Sequence, residues 1–347
     1  MVALYSRDLL RAREIAARCG VEIATDDLEG LLARGDIDAV TIASSNDRHY
    51  PYAMAALRAG KHVFCEKPMA LGVAEAEEMT REARRSGVMH QTAFIFRYTD
   101  CLQTLRQRVL EGDIGTPYYA AVHGERYTAH PNGVRLATWR DDASLHGAGQ
   151  MGEMGSHFID TVNFVCGSQS GYICEVAAAA YTAARTVRDD TGAERAVDTP
   201  DLVSLLFRTE GGLQGNIVTS KATPSPVPYE VMHEQTGRSG HMGYIIVTGD
   251  RGALMASFSR GGGESLLRMS PGASEWERVS LPSGADDAQP HAVQRMMGSF
   301  LDNVIRGRPD GNLDPTFEDG YRSQAGIDAA MLACMSRRWE PVATDLP

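Results

Sequence analysis

The sequence predicts an α/β protein in two parts. A parallel, doubly wound sheet occupies residues 1–98, and an α+β domain with a mainly antiparallel sheet occupies residues 99–347. Three observations predict it. Over the first part, short apolar runs alternate with helix-patterned stretches, the rhythm of strands joined by crossover helices. Over the second, strand-like runs follow one another directly and helices flank the series. The length of 347 residues suits two domains of about 100–200 residues each.

Val2–Tyr5 is a short apolar run. The next stretch, Asp8–Cys19, places Leu9, Ala12, Ile15, Ala16 and Cys19 on one helical side, and Gly20 stops it. Val21–Ala24 reads as a strand, and Asp26 or Asp27 can cap a helix over Leu28–Arg34. Ala39–Ala43 is a buried strand, Pro51–Ala59 a helix closed by Gly60, His62–Cys65 a strand, Ala74–Ser86 a helix and Met89–Phe94 a strand. The second part opens with a helix over Asp100–Leu110, a half-exposed strand over Tyr118–Arg126 and a helix over Glu153–Val165. Strands are expected at Tyr172–Tyr181, Leu202–Arg208, Leu213–Thr219, Tyr244–Thr248, Leu254–Phe258, Leu266–Met269 and Trp276–Leu281, with a turn at Arg251-Gly252. Helices over Val293–Arg306 and Glu318–Met335 end the series, and they can pack back on the first domain. The polar stretches Arg185–Thr199 and Pro224–His241 read as loops.

Thirty-four basic against 45 acidic residues leave a formal charge of −11. Phosphate recognition needs a basic face, so nucleic acid and anionic membranes are poor partners. No apolar run approaches the roughly 18 residues of a membrane span, and the first residues lack a signal-peptide pattern. The six cysteines are scattered with no C-x-x-C pair. That fits reduced thiols in a cytoplasmic protein, and the Cys/His spacing fits no metal site.

Three stretches could carry chemistry. Cys65-Glu66-Lys67-Pro68 directly follows a strand, and ligands bind at the carboxyl ends of parallel strands. Lys67 there can point an ammonium into the cleft, and Pro68 stiffens the turn and can adopt a cis bond. Read alone, the tripeptide is more often a solvated charged loop. Ala43-Ser44-Ser45-Asn46-Asp47-Arg48-His49 also follows a strand. Ser44 allows close approach to the backbone, and Asn46 and His49 could orient a ribose or ring. The plain alternative is a turn that caps the next helix. In the glycine-rich run Gly147–Asp160, Glu153 and His157 lie four apart, neighbours on an α-helix. A carboxylate beside an imidazole fixes its tautomer and raises its basicity, as a general base requires. Asp160 could share that face. A lone helical histidine is otherwise usually a packing residue.

Together these stretches resemble the glucose–fructose oxidoreductase and inositol dehydrogenase family, Gfo/Idh/MocA. Its pattern D-x-V-x-I-A-T-P-N-x-x-H is similar to Asp38–His49, its A-G-K-H-V-x-x-E-K-P to Ala59–Pro68, and its G-G-G-x-x-x-D-x-G-x-H-x-x-D to Gly147–Asp160. Phe94–Tyr98 resembles F-x-x-R-F, Ile114-Gly115-Thr116-Pro117 resembles I-G-x-P, and Phe317-Glu318-Asp319-Gly320 also matches, so the likeness spans nearly the whole chain. The resemblance implies a Rossmann-like nucleotide-binding domain and a second domain whose open-faced, mainly antiparallel sheet pairs subunits into a homodimer or homotetramer. It implies hydride transfer between NADP or NAD and a sugar- or polyol-like substrate. Lys67 would hydrogen-bond the reacting oxygen, His157 would act as general base with Glu153 beside it, and Trp139-Arg140 would reach the cofactor. Glu66, Ser44, Asn46 and His49 would lie along it. Arg97, Glu125, Arg126 and Asp160 are candidates to line the substrate cleft.

The chain departs from the pattern twice. The family's carboxylate before the histidine is usually Asp, here Glu153. The family also has a first strand, a G-x-G-x-x-G turn and a helix ahead of the segment that begins here at Val2. The expectation is a truncated start, with a sheet that lacks its central strand. Ser6 and Arg7 after the first run suit the 2′-phosphate of NADP, where NAD would want a carboxylate. Two other readings compete: a non-catalytic ligand sensor or assembly subunit, motivated by the absent glycine turn, and a redox-neutral glycosidase that uses cofactor transiently.

Overall fold

In the computed structural model, residues 1–125, 136–223, 241–259, 264–282, 292–309 and 313–345 are described. The N-terminal part runs β1 (Ala3–Tyr5), α1 (Leu9–Cys19), β2 (Ile23–Thr25), α2 (Leu28–Leu32), β3 (Ala39–Ile42), α3 (His49–Arg58), β4 (His62–Cys65), α4 (Val73–Ser86) and β5 (His90–Thr92). The capping logic is met locally. Asp8 accepts from Leu10 N and Arg11 N, and Gly20 closes α1 in the left-handed region at φ 67°. All the pairings are parallel, yet they form two ladders: β1–β2 and β3–β4–β5. The second edges of β1 and β3 have no ladder partner among the described residues. β3 packs on α3, β1 packs on α1 and α2, and Tyr5 of β1 meets Tyr52 of α3 edge-on at 5.5 Å.

The second part runs α5 (Asp100–Leu110), β6 (Pro117–Glu125), α6 (Ala143–His146), α7 (Ser156–Ser170), β7 (Ile173–Tyr181), β8 (Thr186–Arg188), β9 (Glu194–Ala196), β10 (Leu202–Thr209), β11 (Gln214–Ser220), β12 (His241–Gly249), β13 (Gly252–Ser259), β14 (Ser265–Met269), β15 (Glu277–Val279), α8 (Ala292–Arg306), α9 (Phe317–Ser336) and β16 (Glu340–Pro341). Nine strands form one sheet in the order β15-β14-β13-β12-β6-β11-β10-β7-β16. Every pairing is antiparallel except β6–β11. Gly215 permits that parallel approach, because a Cβ there would meet the Ala120 carbonyl. The stretch 185–199, expected as a loop, carries the β8–β9 hairpin. Most of the other expected loop, Pro224–His241, lies outside the described residues; His241 begins β12.

One face of the large sheet is covered by α5, α7 and α9. Phe207, Ile217, Ile245 and Leu254 are buried there, and Phe96 packs against Phe158 and Phe258. The other face is open: Tyr119, Tyr181 and Leu206 stand on it, 40%, 57% and 54% exposed. The last two helices return to the first part. Phe300 of α8 meets Phe64 at 5.5 Å. Phe317 and Tyr321 of α9 complete the core around Val63, Met79 and Ala83. Thr80 Oγ1 donates to the Phe317 carbonyl, and Asp328 accepts from Val73 N at 2.7 Å.

Candidate active site

Three segments converge beyond the carboxyl ends of β3 and β4, and one interaction ties each pair. The Ser44–Arg48 turn is joined to the end of α6 by Asn46, whose Nδ2 donates to the His146 carbonyl at 2.8 Å. That turn is joined to the turn after β4 by His49, whose ring nitrogens lie 2.8 Å from the Pro68 carbonyl and 3.3 Å from the Ser44 carbonyl. The β4 turn reaches the glycine-rich segment through Lys67, whose Nζ donates to the Glu153 carbonyl at 2.6 Å. The Lys67–Pro68 peptide is cis.

The glycine-rich segment has an unusual winding. Met151–Gly155 forms a π-turn, with Ser156 N bonded to the Met151 carbonyl, before α7 begins. Such single π-turns recur at functional sites. Gly155 leaves room for the Met151 side chain, whose Sδ would lie 2.6 Å from a Cβ there, and Gly152 packs its bare face toward Pro68. Glu153 therefore sits on a π-turn and His157 on the first turn of α7, so the α-helical spacing assumed for the pair is not the observed geometry. His157 is buried, its ring 4.6 Å from Phe96 and 6.0 Å from Phe94. Gly147–Gly152 happens to read G-x-G-x-x-G, but it follows a helix and its backbone is committed. Gln150 N bonds to the Pro200 carbonyl at 2.9 Å, and a Cβ on Gly149 would strike Pro200.

Several expectations are corrected. Asn46 and His49 are turned inward, 3% and 0% exposed, and tie loops together instead of facing a cofactor. Burial pushes the His49 pKa down, against the Pro68 and Ser44 carbonyls, which raise it. Arg97 and Asp160 do not line a cleft: both are buried in an ion triad. Arg97 Nε donates to Asp160 Oδ2 at 3.0 Å, and its Nη2 lies 2.9 Å from Asp319 at the start of α9. Burial alone would lower the Arg97 pKa, but the two carboxylates outweigh it and raise it; burial pushes Asp160 up to about 6 against the pull of Arg97. Glu125 lies on the open face of the sheet, because Val122 and Gly124 take the helix-covered side. It is 3.3 Å from His123 there. Arg126 lies outside the described residues.

The remaining candidates stay near the convergence. Glu66 accepts from Lys67 N at 3.2 Å, and Ser44 is half-buried at the end of β3. Trp139 and Arg140 form a short helical turn, with the guanidinium 4.5 Å above the indole. The Trp139 ring lies 5.2 Å from His146, a residue that sequence reasoning did not single out. His146 is buried, and its pKa is pushed down to about 4, chiefly by burial, while Glu153 pulls it up and Lys67, Arg140 and Lys221 push it down. Ser6 and Arg7 follow β1; Ser6 Oγ accepts from Asp8 N, and Arg7 is exposed.

Lys67 follows β4 and reaches the Glu153 carbonyl, Trp139 and Arg140 stack on each other with the indole against His146, and an exposed cation, Arg7, follows β1. Helix α1 offers no anion site, because the Asp8 carboxylate already caps its first amides.

Comparison with known proteins places this arrangement. Residues 1–94 match the model of an oxidoreductase family with an NAD-binding Rossmann fold, and residues 102–254 match the GFO/IDH/MocA C-terminal domain. The chain belongs to this family and is an oxidoreductase of it. It is 28% identical over 347 residues to levoglucosan dehydrogenase of Pseudarthrobacter phenanthrenivorans, which spans 95% of this chain and 86% of that protein. It is 31% identical over 298 residues to glucose-6-phosphate 3-dehydrogenase of Bacillus subtilis, 84% of this chain and 77% of that protein. Among solved structures, an NAD-binding oxidoreductase from Klebsiella pneumoniae superposes with a TM-score of 0.83 at 26% identity, covering 99% and 90% of the two chains. Levoglucosan dehydrogenase in complex with NADH gives 0.84 at 23%, with the same coverage, and shows the same fold. These likenesses lend no support to the sensor or glycosidase readings. Among the described residues, no helix is long and apolar enough to cross a membrane.

Proposed function

We propose that the protein is an NAD(P)-dependent dehydrogenase or reductase that works on a hydroxyl or ketone of a sugar- or polyol-like molecule, with NADP preferred. The observation that carries it is the Lys67 ammonium, held 2.6 Å from the Glu153 carbonyl at the meeting of three loops, beside the turn that leads to His157. When bound, the nicotinamide supplies or takes the hydride. Lys67 then donates a hydrogen bond to the reacting oxygen and stabilises the negative charge that develops on it. His157 takes the hydroxyl proton in oxidation and returns it in reduction. Glu153 orients His157, and Trp139-Arg140 cover the cofactor with Ser44 and Glu66. Arg7 and Ser6 favour the 2′-phosphate of NADP, since a guanidinium pairs with phosphate where a carboxylate would repel it. The sugar class is supported by the dehydrogenases that the chain resembles. The division into domains at residue 98 and a homodimer or homotetramer paired through the open sheet belong to the same reading, which implies a cytoplasmic protein.

Fluorescence titration with NADPH and NADH tests the cofactor assignment: saturable binding that favours NADPH is expected. Turnover of levoglucosan, D-glucose and myo-inositol tests the chemistry. Lys67→Ala and His157→Ala should each lower kcat by about 10²–10⁴, and turnover near wild type in both would sink the assignment.

A further inference from the structure

The π-turn that carries Glu153 departs from the helix it enters, and one side chain compensates for the departure. In an α-helix the Ser156 N–H would bond to the Gly152 carbonyl, four residues back. Here it bonds to the Met151 carbonyl, five back. The Ser156 side chain takes its place: Oγ donates to the Gly152 carbonyl at 2.7 Å. Gly152 and Ser156 are both buried, where an acceptor left without a donor is costly. Ser156 is also held from α9, because its carbonyl accepts from Ser323 Oγ at 2.9 Å. Back-bonding of this kind is common in regular helix, as from Thr161 Oγ1 to the His157 carbonyl. At Ser156 it differs, because the residue's own N–H has left the carbonyl that its hydroxyl then takes.

The same turn packs directly on the Lys67 loop. A Cβ on Gly152 would sit 3.6 Å from Pro68, the residue after Lys67. Lys67 Nζ donates to the carbonyl of Glu153, the residue after Gly152, at 2.6 Å. The winding of the turn therefore sets where the lysine's acceptor points. Rewinding it as α-helix would take up one residue and turn everything before it by about 100° relative to α7. That would carry the Glu153 carbonyl away from Lys67.

We infer that Ser156 is a positioning residue: its hydroxyl holds the π-turn at Met151–Gly155, and through it the Glu153 carbonyl that orients the Lys67 ammonium. The consequence for turnover rests on the dehydrogenase reading. The arrangement itself exists without cofactor or substrate, so it can be tested apart from that reading.

Lysine occurs only at positions 61, 67 and 221, so lysine labelled with ¹⁵N at Nζ gives three side-chain signals, and Lys67→Ala assigns that of Lys67. Ser156→Ala removes the hydroxyl from a buried position without adding bulk. It should shift the Lys67 Nζ signal, while that of Lys61, bonded to the Arg34 and Ile37 carbonyls, stays in place. Thr161→Val removes the back-bonding hydroxyl further along α7 and should leave the Lys67 signal as in wild type. Turnover is then measured with levoglucosan, D-glucose and myo-inositol. For a compound that wild type converts, Ser156→Ala should lower kcat roughly tenfold, the worth of a hydrogen bond lost from a buried acceptor, with KM little changed. A Lys67 signal unmoved by Ser156→Ala, or moved equally by Thr161→Val, overturns the inference and leaves Ser156 an ordinary helical serine; so does a kcat near wild type. The dehydrogenase reading fails differently: wild type converts none of the three compounds, while the Lys67 shift in Ser156→Ala still reports on the turn.

Discussion

At the scale of single residues, polarity was a poor guide to direction. Asn46, His49, Arg97 and Asp160 read as ligand-facing because buried polar groups are uncommon, yet each is spent inside. Their partners are what sequence spacing cannot show: Asn46 bonds across 100 positions and Arg97 pairs with Asp160 across 63. Lys67 is a different case: its place directly after a parallel strand singles it out in the sequence, but its bond to the Glu153 carbonyl, across 86 positions, leaves no mark there. His146 left no sequence signal beyond its place before Gly147, since only tertiary packing encloses its ring. The Arg97 triad carries a prediction of its own. Arg97→Met leaves Asp160 without a cation and Asp319 with only Arg322 at 3.8 Å, and unpairing a buried charge costs about 3–5 kcal/mol. Urea unfolding should show that loss, and Arg97→Lys should restore only part of it, because an ammonium cannot serve both carboxylates in the guanidinium's fork geometry. Stability unchanged in Arg97→Met would contradict the triad's structural role.

At the scale of elements, the strand and helix pattern was largely readable, and the misses share a cause. Asp100–Leu110 was read with its observed ends because its apolar residues fall on one face. The β8–β9 hairpin was missed because it is short and mostly exposed, with no alternation to betray it. The π-turn at Met151–Gly155 overlaps the start of the helix expected over Glu153–Val165, and a single wide turn at a helix end is too short to show a rhythm of its own. Helix α9 was found, but how closely it approaches the first domain follows from Gly320, where a Cβ would lie 2.5 Å from Met69 Sδ and 2.6 Å from Thr92 Oγ1. Gly320→Ala should therefore lower stability by about 1–3 kcal/mol through overpacking, although alanine favours helix over glycine. A thermal midpoint equal to or above wild type would show that Met69 simply moves aside.

At the scale of the whole molecule, the order of strands was readable only in class. The sequence pattern separates a parallel part from an antiparallel part, but neither the parallel β6–β11 pair nor the division of the first sheet into two ladders leaves a local mark. The open face of the nine-stranded sheet sets a test of assembly. Leu206 stands 54% exposed in its middle, flanked across the ladders by Ala177 and Asn216. A charge there would be buried in any dimer built on this face. Light scattering of wild type should give a dimer or tetramer, and Leu206→Glu should shift it toward monomer. A monomeric wild type would remove the paired-sheet assembly from the reading.

The return of α9 to the first core has a consequence for synthesis. Phe317 and Tyr321 finish a hydrophobic cluster whose other members, from Leu32 to Ala83, leave the ribosome first. Domains that fold as they emerge do so from the amino end, but this one waits for a helix more than two hundred residues downstream. Until that helix emerges, the nascent chain carries an apolar face that Phe317 and Tyr321 have yet to cover.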